Sequence, residues 1–323
     1  MTTVQEVSTD VAELEPDERP RPVAARSRRA RRPVAPRPPR PPRAPEPDAV
    51  TVVSTALMIV AVVAGWALVQ VLMLGGLSHS RAQDLLRSDL RQQLAAETAP
   101  VGGMIAPGAP VALMSIPTLG IEQVVVEGTA SGDTMAGPGH RPDTVLPGQM
   151  GVSIAYGRYT TYGAPFRSVP LLRAGDGLAV TTAQGEFVYR VDGVRREGDP
   201  LPAPLPAGGA RLTLVTVEGN GPLAALTQFQ TVYVDATLVG EPAVGPGGRP
   251  AGIPEAEKAM NGDLDALPVL VLYLQGLLLG VLATVVARRR LPGRAVWVLS
   301  LPVLMAFAWL STDAAARLLP NLF

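Results

Sequence analysis

The stretch that decides the fold is residues 111–127, VALMSIPTLGIEQVVVE, in which two short apolar runs flank a Pro-Thr-Leu-Gly turn. Runs of this length, rich in Val and Ile and bounded by Gly and Pro, indicate β-strands. Similar runs recur as far as residue 239, with no regularly alternating helical segments between them. We therefore predict an all-β barrel or sandwich, with strands at 111–116, 123–127, 152–156, 177–182, 187–195, 211–217 and 231–239.

The rest of the chain is unusually apolar for a soluble protein. Of the 323 residues, 47% are hydrophobic and only 17% are charged, which indicates that part of the chain lies in lipid. Residues 50–77 carry no charge, and a helix of that length crosses a hydrocarbon core of about 30 Å. We predict transmembrane helices at 50–77, 266–287 and 295–311; the last is marginally long and fits a tilted hairpin with the second equally well.

Arginine clusters predict the orientation of these helices. One cluster lies in residues 19–43, before the first span, and another in residues 288–294, between the second and third. Because arginine marks the cytoplasmic side, we expect a multi-pass protein of the cell membrane, with a cytoplasmic N-terminus and an extracellular strand-rich region. Residues 1–49 are rich in Pro and Arg and are predicted to be disordered. They are a solvated topology signal, a polyproline-type ligand or a binder of anionic lipid.

Two further segments connect these parts. Residues 78–100 are predicted to form a juxtamembrane helix, because Leu86, Leu90 and Leu94 follow one another at four-residue spacing and share one face. That face is expected to pack on the following domain, residues 101–240. Residues 241–265 are rich in Gly, Pro and acidic residues and are predicted to be a linker.

Several motifs in order along residues 111–239 resemble the sortases, particularly the class E type of high-GC Gram-positive bacteria such as the actinobacteria. The resemblance implies a sortase-like β-barrel, tethered to the membrane and displayed outside the cell. The stretches that carry it are IPTLGI (116–121), VVEGT (125–129), GPGH (137–140), LPGQ (146–149), TTYGAPF (160–166) and RAGD (173–176).

The same resemblance implies that the catalytic residues have been lost. A sortase attacks the threonyl carbonyl of an LPXTG-like sorting signal with a cysteine thiolate, assisted by a histidine and an arginine. Here the histidine position is Arg158, in GRYTT (157–161), and the cysteine position is Val217, in TLVTV (213–217). The arginine position corresponds to Gln230. The sequence contains no cysteine at all, so no thiolate chemistry is available.

No residue is therefore predicted to be catalytic, and four are candidates for ligand binding. Arg158, Tyr159, Val217 and Glu218 are expected to line the former substrate groove. Arg158 and Glu218 are candidates for an ion pair that keeps the groove ordered; the alternative is two unrelated solvated side chains. The hydroxyl of Thr216 should face the other side of its strand from residue 217.

The two histidines do not suggest a metal site. His79 is expected to lie at the membrane interface and His140 to make a structural hydrogen bond. No pair of histidines has metal-ligand spacing, and we predict no cofactor and no nucleic-acid partner.

The sequence as a whole favours a pseudoenzyme that binds or presents a sorting-signal peptide or another cell-envelope protein, with membrane lipid as a further partner. Two alternatives remain open. One is a divergent transpeptidase or hydrolase with an unrecognised nucleophile, and the other is a structural subunit of a membrane complex.

Overall fold

The computed structural model describes residues 57, 61, 64–219, 229–287 and 292–323. The predicted disordered tail, most of residues 50–63 and the arginines at 288–290 lie outside the described residues. The described residues belong to one unit, Val53–Phe323.

Eight strands close into a barrel, in the order β1-β2-β3-β4-β7-β8-β6-β5. Most neighbours are antiparallel, but β2 pairs with β3 and β4 pairs with β7 in parallel. The all-β prediction is confirmed in its barrel form. The strands are β1 (Pro110–Ile116), β2 (Ile121–Glu127), β3 (Gly139–His140), β4 (Gly151–Tyr156), β5 (Gly177–Thr182), β6 (Gly185–Arg196), β7 (Ala210–Gly219) and β8 (Phe229–Val239).

The seven strands predicted from sequence all appear, and each bound lies within two residues of its predicted position. The sequence analysis missed β3, because a strand of two residues is too short for side-chain alternation to be read. The barrel core is built by the inward residues of the strands, among them Met114, Leu178, Leu212, Leu214 and Val234, all of which are buried.

A helix leads from the predicted first span onto the barrel. Residues 64–69 are helical, a π-helical turn follows at Gln70–Leu74, and α1 continues over Gly75–Ala95. Of the leucines expected to pack on the barrel, Leu90 is buried, while Leu86 and Leu94 are half-buried.

The main polar contacts of α1 come from two side chains that were not expected to bind the barrel. His79 is buried; its Nε2 is 2.9 Å from Gln123 Oε1, and its Nδ1 is 3.2 Å from the Met135 carbonyl oxygen. Burial lowers the pKa of His79. Gln83 accepts a hydrogen bond from the Val124 N–H at 2.7 Å. Helix α1 thus turns the His79 side chain towards the barrel, and its place at the membrane interface stays a prediction.

Residues 241–265, predicted to be a linker, run along the barrel and are bound to it. Arg249 donates hydrogen bonds to the carbonyl oxygens of Thr144 at 3.0 Å and Gly103 at 3.2 Å, and it pairs with the buried Glu127. Glu257 is also buried and accepts a 2.7 Å hydrogen bond from the Thr129 hydroxyl. The high Gly and Pro content therefore accompanies a fixed path along the barrel rather than a free tether.

A short helix, α2 (Ser131–Ala136), lies between β2 and β3. Two helices follow the strands, α3 (Leu267–Ala287) and α4 (Gly293–Ala316), and they pack against each other. Among the described residues, the two segments Leu264–Ala287 and Arg294–Ala316 are long and apolar enough to cross a membrane. Helix α4 extends beyond the predicted 295–311 at both ends, so its 24 residues reach about 36 Å and suffice for a full crossing. Trp66 donates a hydrogen bond to the Thr312 hydroxyl at 3.2 Å, so the helix at 64–69 also contacts α4.

Candidate functional site

The outer faces of three neighbouring strands, β4, β7 and β8, form a groove on the barrel. Side chains alternate between the two faces of a strand, so on β7 Leu212 and Leu214 fill the core while Arg211, Thr213 and Val215 line an outside cavity. Val217 continues the outward series. The floor of the groove is formed by Ile154, Tyr156, Arg211, Thr213, Val215, Val217, Tyr233 and Asp235.

The half of the groove around Arg211, which we call the open end, is accessible to a ligand. Two cavities of about 510 and 490 Å³ adjoin there, since Arg195, Pro202, Arg211 and Asp235 line both of them. The proline-rich loop 197–209 forms the wall of this end. Leu201 on that loop is 82% exposed, which leaves an apolar side chain at the rim.

The open end is polar and held by a fixed network of hydrogen bonds. Arg195 donates to Asp235 at 2.6 Å, and its guanidinium lies 4.1 Å from the ring centre of Tyr233. Thr213 donates to the other oxygen of Asp235 at 2.7 Å. Arg211 donates to the Ala203 carbonyl at 2.8 Å, while its buried Nε has no hydrogen-bond partner among the described residues. Because this Nε is buried, a ligand in the open end cannot reach it while Arg211 keeps this position.

The half around Val217, which we call the closed end, is covered by the chain itself. Val217 is 1% exposed and packs in one apolar cluster with Tyr156, Val215 and Leu322. Leu322 is separated from Val217 by more than a hundred residues and is fully buried. A ligand in the open end therefore meets Leu322 before it reaches Val217.

Arg158 is fully buried and makes its contacts away from Glu218. Its guanidinium donates to the Thr134 hydroxyl at 3.2 Å, to the Thr161 hydroxyl at 2.9 Å, and to the Ser131 carbonyl and hydroxyl at 2.8 and 2.7 Å. It also lies 5.4 Å from the ring centre of Tyr162. Burial lowers the pKa of Arg158 to about 10, so the group remains charged at neutral pH.

The predicted ion pair between Arg158 and Glu218 is wrong. Glu218 pairs instead with Arg196, with Nη2 at 3.1 Å from both carboxylate oxygens. The physical reason is strand alternation: Glu218 follows Val217 on β7 and therefore points to the opposite face of the sheet. Neither partner of the proposed pair lines the groove.

The strand register also corrects the position chosen for the lost arginine. In the antiparallel pair β7–β8, Gln230 stands opposite Glu218, and Thr231 stands opposite Val217. Directly opposed residues share a face, so Gln230 points away from Val217. On the face of Val217, the nearest β8 residues are Phe229 and Thr231, which carry no charge; Tyr233 and Asp235 share this face but lie towards the open end.

Tyr159 lies where it was expected, against the closed end. Its side chain packs on the apolar cluster of Val217 and Leu322. The Thr216 hydroxyl donates to the Gly157 carbonyl at 2.9 Å and is fully buried, so it is engaged in holding β7 to the loop after β4. Tyr159 and Val217 therefore share a site, whereas Arg158 and Glu218 do not.

The barrel histidine, His140, has structural contacts. His140 is buried, with Nδ1 at 3.0 Å from Glu127 and Nε2 at 2.8 Å from the Val145 carbonyl oxygen, which is the kind of contact predicted for it. Within the described ranges, no group of three or more His, Asp or Glu side chains is placed to hold a metal ion.

Comparison with known proteins relates most of the barrel to one family. A family model described as the sortase domain matches residues 114–220. These residues are similar to a sortase domain. Sortase D of Bacillus subtilis (strain 168) is 33% identical over 79 residues, which are 24% of this chain and 38% of that protein. The match thus spans about two fifths of the length of this curated relative.

Two solved sortase structures are similar to about half of this chain. The structure of sortase E from Streptomyces avermitilis is 31% identical, covers 48% of this chain and 100% of its own, and has a TM-score of 0.34. A Clostridium perfringens Sortase D5 transpeptidase is 18% identical, covers 50% and 98%, and has a TM-score of 0.37.

The sequence analysis missed two parts of this site. At the open end, the groove residues Arg195, Arg211 and Tyr233 could have been found, because they alternate along strands that were correctly predicted. At the closed end, residues 321–323 gave no signal, because a short apolar segment after a membrane helix carries no information about what it contacts.

Proposed function

We propose that this chain is a membrane-anchored sortase-domain protein that binds a cell-envelope protein through its groove without cleaving it. The observation that carries the proposal is the contrast along β7: the groove is open at Arg211, yet Val217 stands where the resemblance places the nucleophile. A valine side chain has no atom that attacks a carbonyl, and the sequence contains no cysteine elsewhere.

The chemistry around Val217 offers no substitute nucleophile. Thr216 is the nearest hydroxyl on β7, but it points to the other face and donates to Gly157. A hydroxyl also needs a base to activate it, and Arg158 stays protonated and already donates to three residues. The geometry therefore favours retention of a bound segment over its cleavage.

The ligand that suits the open end is an extended peptide segment, and a sorting signal is the candidate that the family suggests. The floor supplies aromatic and aliphatic surface from Tyr156, Val215 and Tyr233. Leu201 at the rim would cover an apolar side chain of the peptide.

The proposed location is the outer side of the cell membrane. The N-terminal end of α3 and the C-terminal end of α4 lie beside each other, since the Asp263 N–H donates to the Arg317 carbonyl at 2.9 Å. The α4 end also contacts the barrel domain, since the Tyr162 hydroxyl donates to Asp313 at 2.9 Å. The arginine-rich stretch 288–294 connects the other ends of these helices. With arginine on the cytoplasmic side, the barrel is extracellular and the chain crosses the membrane more than once.

The test is binding of an LPXTG-like peptide to the full-length chain in lipid nanodiscs, with a matched pair of leucine variants. Leu201 and Leu171 are both strongly exposed, at 82% and 71%, but only Leu201 lines the groove. We expect Leu201→Asp to raise the peptide Kd about tenfold, a cost of roughly 1.4 kcal/mol, and Leu171→Asp to leave it unchanged.

Two results would contradict the proposal in different ways. Absence of binding by the unaltered chain would favour a structural membrane subunit, in which the barrel is a passive outer domain. Recovery of cleaved peptide would favour a divergent transpeptidase or hydrolase.

A further inference from the structure

We propose that the former catalytic end of the groove is a docking site for residues Asn321–Phe323 of the same chain. These residues follow α4, leave the helix hairpin and run across the loop after β4 onto β7. The inference does not rest on the proposed function, because it concerns the closed end of the groove and needs no external ligand.

The backbone of residues 158–161 receives this segment with hydrogen bonds. The Tyr159 N–H donates to the Leu322 carbonyl at 3.0 Å, and the Thr161 N–H donates to the Phe323 carbonyl at 3.1 Å. The Thr161 hydroxyl adds a third bond to the same Phe323 oxygen at 2.7 Å. Backbone groups thus recognise the segment independently of its side chains, as is usual for an extended peptide in a groove.

The side chains of the segment pack against side chains of the barrel. Leu322 is fully buried against Tyr156, Val215 and Val217. The ring of Phe323 meets that of Phe229 edge to face, with centroids 5.1 Å apart and an interplanar angle of 84°, a favoured aromatic geometry. A cysteine at position 217 would be covered in the same way, so the covering does not depend on valine.

Asn321 fixes the direction from which the segment enters. Its side-chain nitrogen donates to the carbonyl oxygens of Thr129 at 2.7 Å and Lys258 at 2.9 Å, and its side-chain oxygen accepts from the Met260 N–H at 2.9 Å. Asn321 is fully buried, and all three bonds are needed to offset the cost of removing an amide from water. This constellation specifies Asn321 and would not be satisfied by an arbitrary chain segment.

Arg158 is a positioning residue for this segment, and it acts through Thr161. A guanidinium only donates hydrogen bonds, and a threonine hydroxyl has one proton. Since Arg158 donates to the Thr161 oxygen, the proton of that hydroxyl is free to point at the Phe323 carbonyl, 2.7 Å away. A histidine at position 158 could also accept that proton, so the arginine selects the arrangement that holds the segment.

Two of the positions that the resemblance assigns to catalysis, 217 and 158, therefore hold residues 321–323 on the barrel. Val217 supplies the apolar floor under Leu322, and Arg158 orients the hydroxyl that binds Phe323. The docked residues 321–323 connect the barrel to the end of α4. A further contact lies close by, where the Ser131 hydroxyl donates to the Leu319 carbonyl at 2.9 Å. A groove ligand can reach Val217 only after residues 321–323 leave.

Single-cysteine labelling of the full chain in nanodiscs tests this, because the native sequence has no cysteine. Val217→Cys should react slowly with a maleimide in the otherwise unaltered chain. Adding Leu322→Asp should speed the reaction at residue 217 about tenfold or more, as expected when a locally docked segment is released. Leu212→Cys, in the barrel core, is the matched control and should stay slow in both backgrounds.

An equal labelling rate at residue 217 with and without Leu322→Asp would overturn the proposal. If Leu212→Cys also becomes reactive, the variant has opened the barrel, and a second measurement decides. The pair Phe229→Cys and Phe323→Cys should then be bridged by a short bifunctional thiol reagent in a chain that keeps Leu322, whereas Leu171→Cys with Phe323→Cys should not. Failure to bridge the first pair would contradict docking.

Discussion

The two ends of the groove share a strand and a face but differ in what occupies them. At the open end, Arg211 and Thr213 border accessible cavities, whereas at the closed end Val217 lies under the fully buried Leu322. The difference separates an end of the groove that the chain itself fills from an end whose surface stays available.

The largest expected effect lies at the closed end. Leu322→Asp removes a fully buried leucine and places a carboxylate in an apolar cluster, which should cost about 4 kcal/mol of stability. The same substitution at Leu201, at the open end, should cost less than about 0.5 kcal/mol because that side chain is exposed. Differential scanning calorimetry of the full chain in detergent measures both losses; equal losses would contradict this contrast.

Arg158 should be the next most sensitive position. Arg158→Ala leaves the polar groups of Ser131, Thr134 and Thr161 without their donor in a buried site, at a cost of about 3 kcal/mol. Arg158→Lys should recover only part of that loss, because an ammonium lacks the planar fork that reaches three partners.

The matched open-end variant is Arg195→Ala, which should cost less, about 2 kcal/mol, because the Arg195 side chain is 20% exposed and the buried Asp235 keeps its hydrogen bond from Thr213. Denaturant titration of the three variants gives the order of effects. A larger loss at Arg195 than at Arg158 would contradict the account of the buried network.

The stability of the protein should also depend on pH, through Asp133 on the short helix Ser131–Ala136. Burial, reinforced by the nearby charge of Glu257, raises the pKa of Asp133 to about 7, above the value of about 3.9 for an unperturbed aspartate. The folded protein therefore holds this proton more tightly than the unfolded chain. This contribution to stability is complete below about pH 4 and is lost as the pH rises towards 7.

Replacing Asp133 with Asn should make the melting temperature change less between pH 4 and 7 than it does in the native chain. The comparison is a pair of pH series on the two proteins. An unchanged slope in Asp133→Asn would show that another group controls the response.

The smallest effect should come from Glu218. Its pair with Arg196 is partly exposed, so Glu218→Ala should cost less than about 1 kcal/mol. A double-mutant cycle should show coupling between Arg196 and Glu218 and none between Arg158 and Glu218. Measured coupling between Arg158 and Glu218 would instead support the ion pair expected from sequence.

Sequence reasoning succeeded where local pattern determines structure. The strands were found from their Val-rich and Ile-rich runs, and alternation correctly separated Thr216 from Val217. Gln230 was misplaced because the register of β8 against β7 is set by pairing along the whole ladder. A shift of one residue exchanges Gln230 for Thr231 and reverses the face that is presented.

Contacts between distant segments could not be read from the sequence. The buried environment of Arg158 is built by Ser131 and Thr134 on a short helix, Ser131–Ala136, whose position depends on the closed barrel. The approach of residues 321–323 depends on the length and packing of α4. Neither feature leaves a periodic pattern, so the residues that cover the former catalytic position emerged only from the three-dimensional structure.

The most direct test of the central claim is incubation of the full-length chain in nanodiscs with an LPXTG-like peptide and an amine nucleophile, followed by mass spectrometry of peptide and protein. The account predicts that the peptide binds and is recovered intact, with no acyl adduct on the protein. A hydrolysed or transpeptidated product that depends on the groove would contradict it.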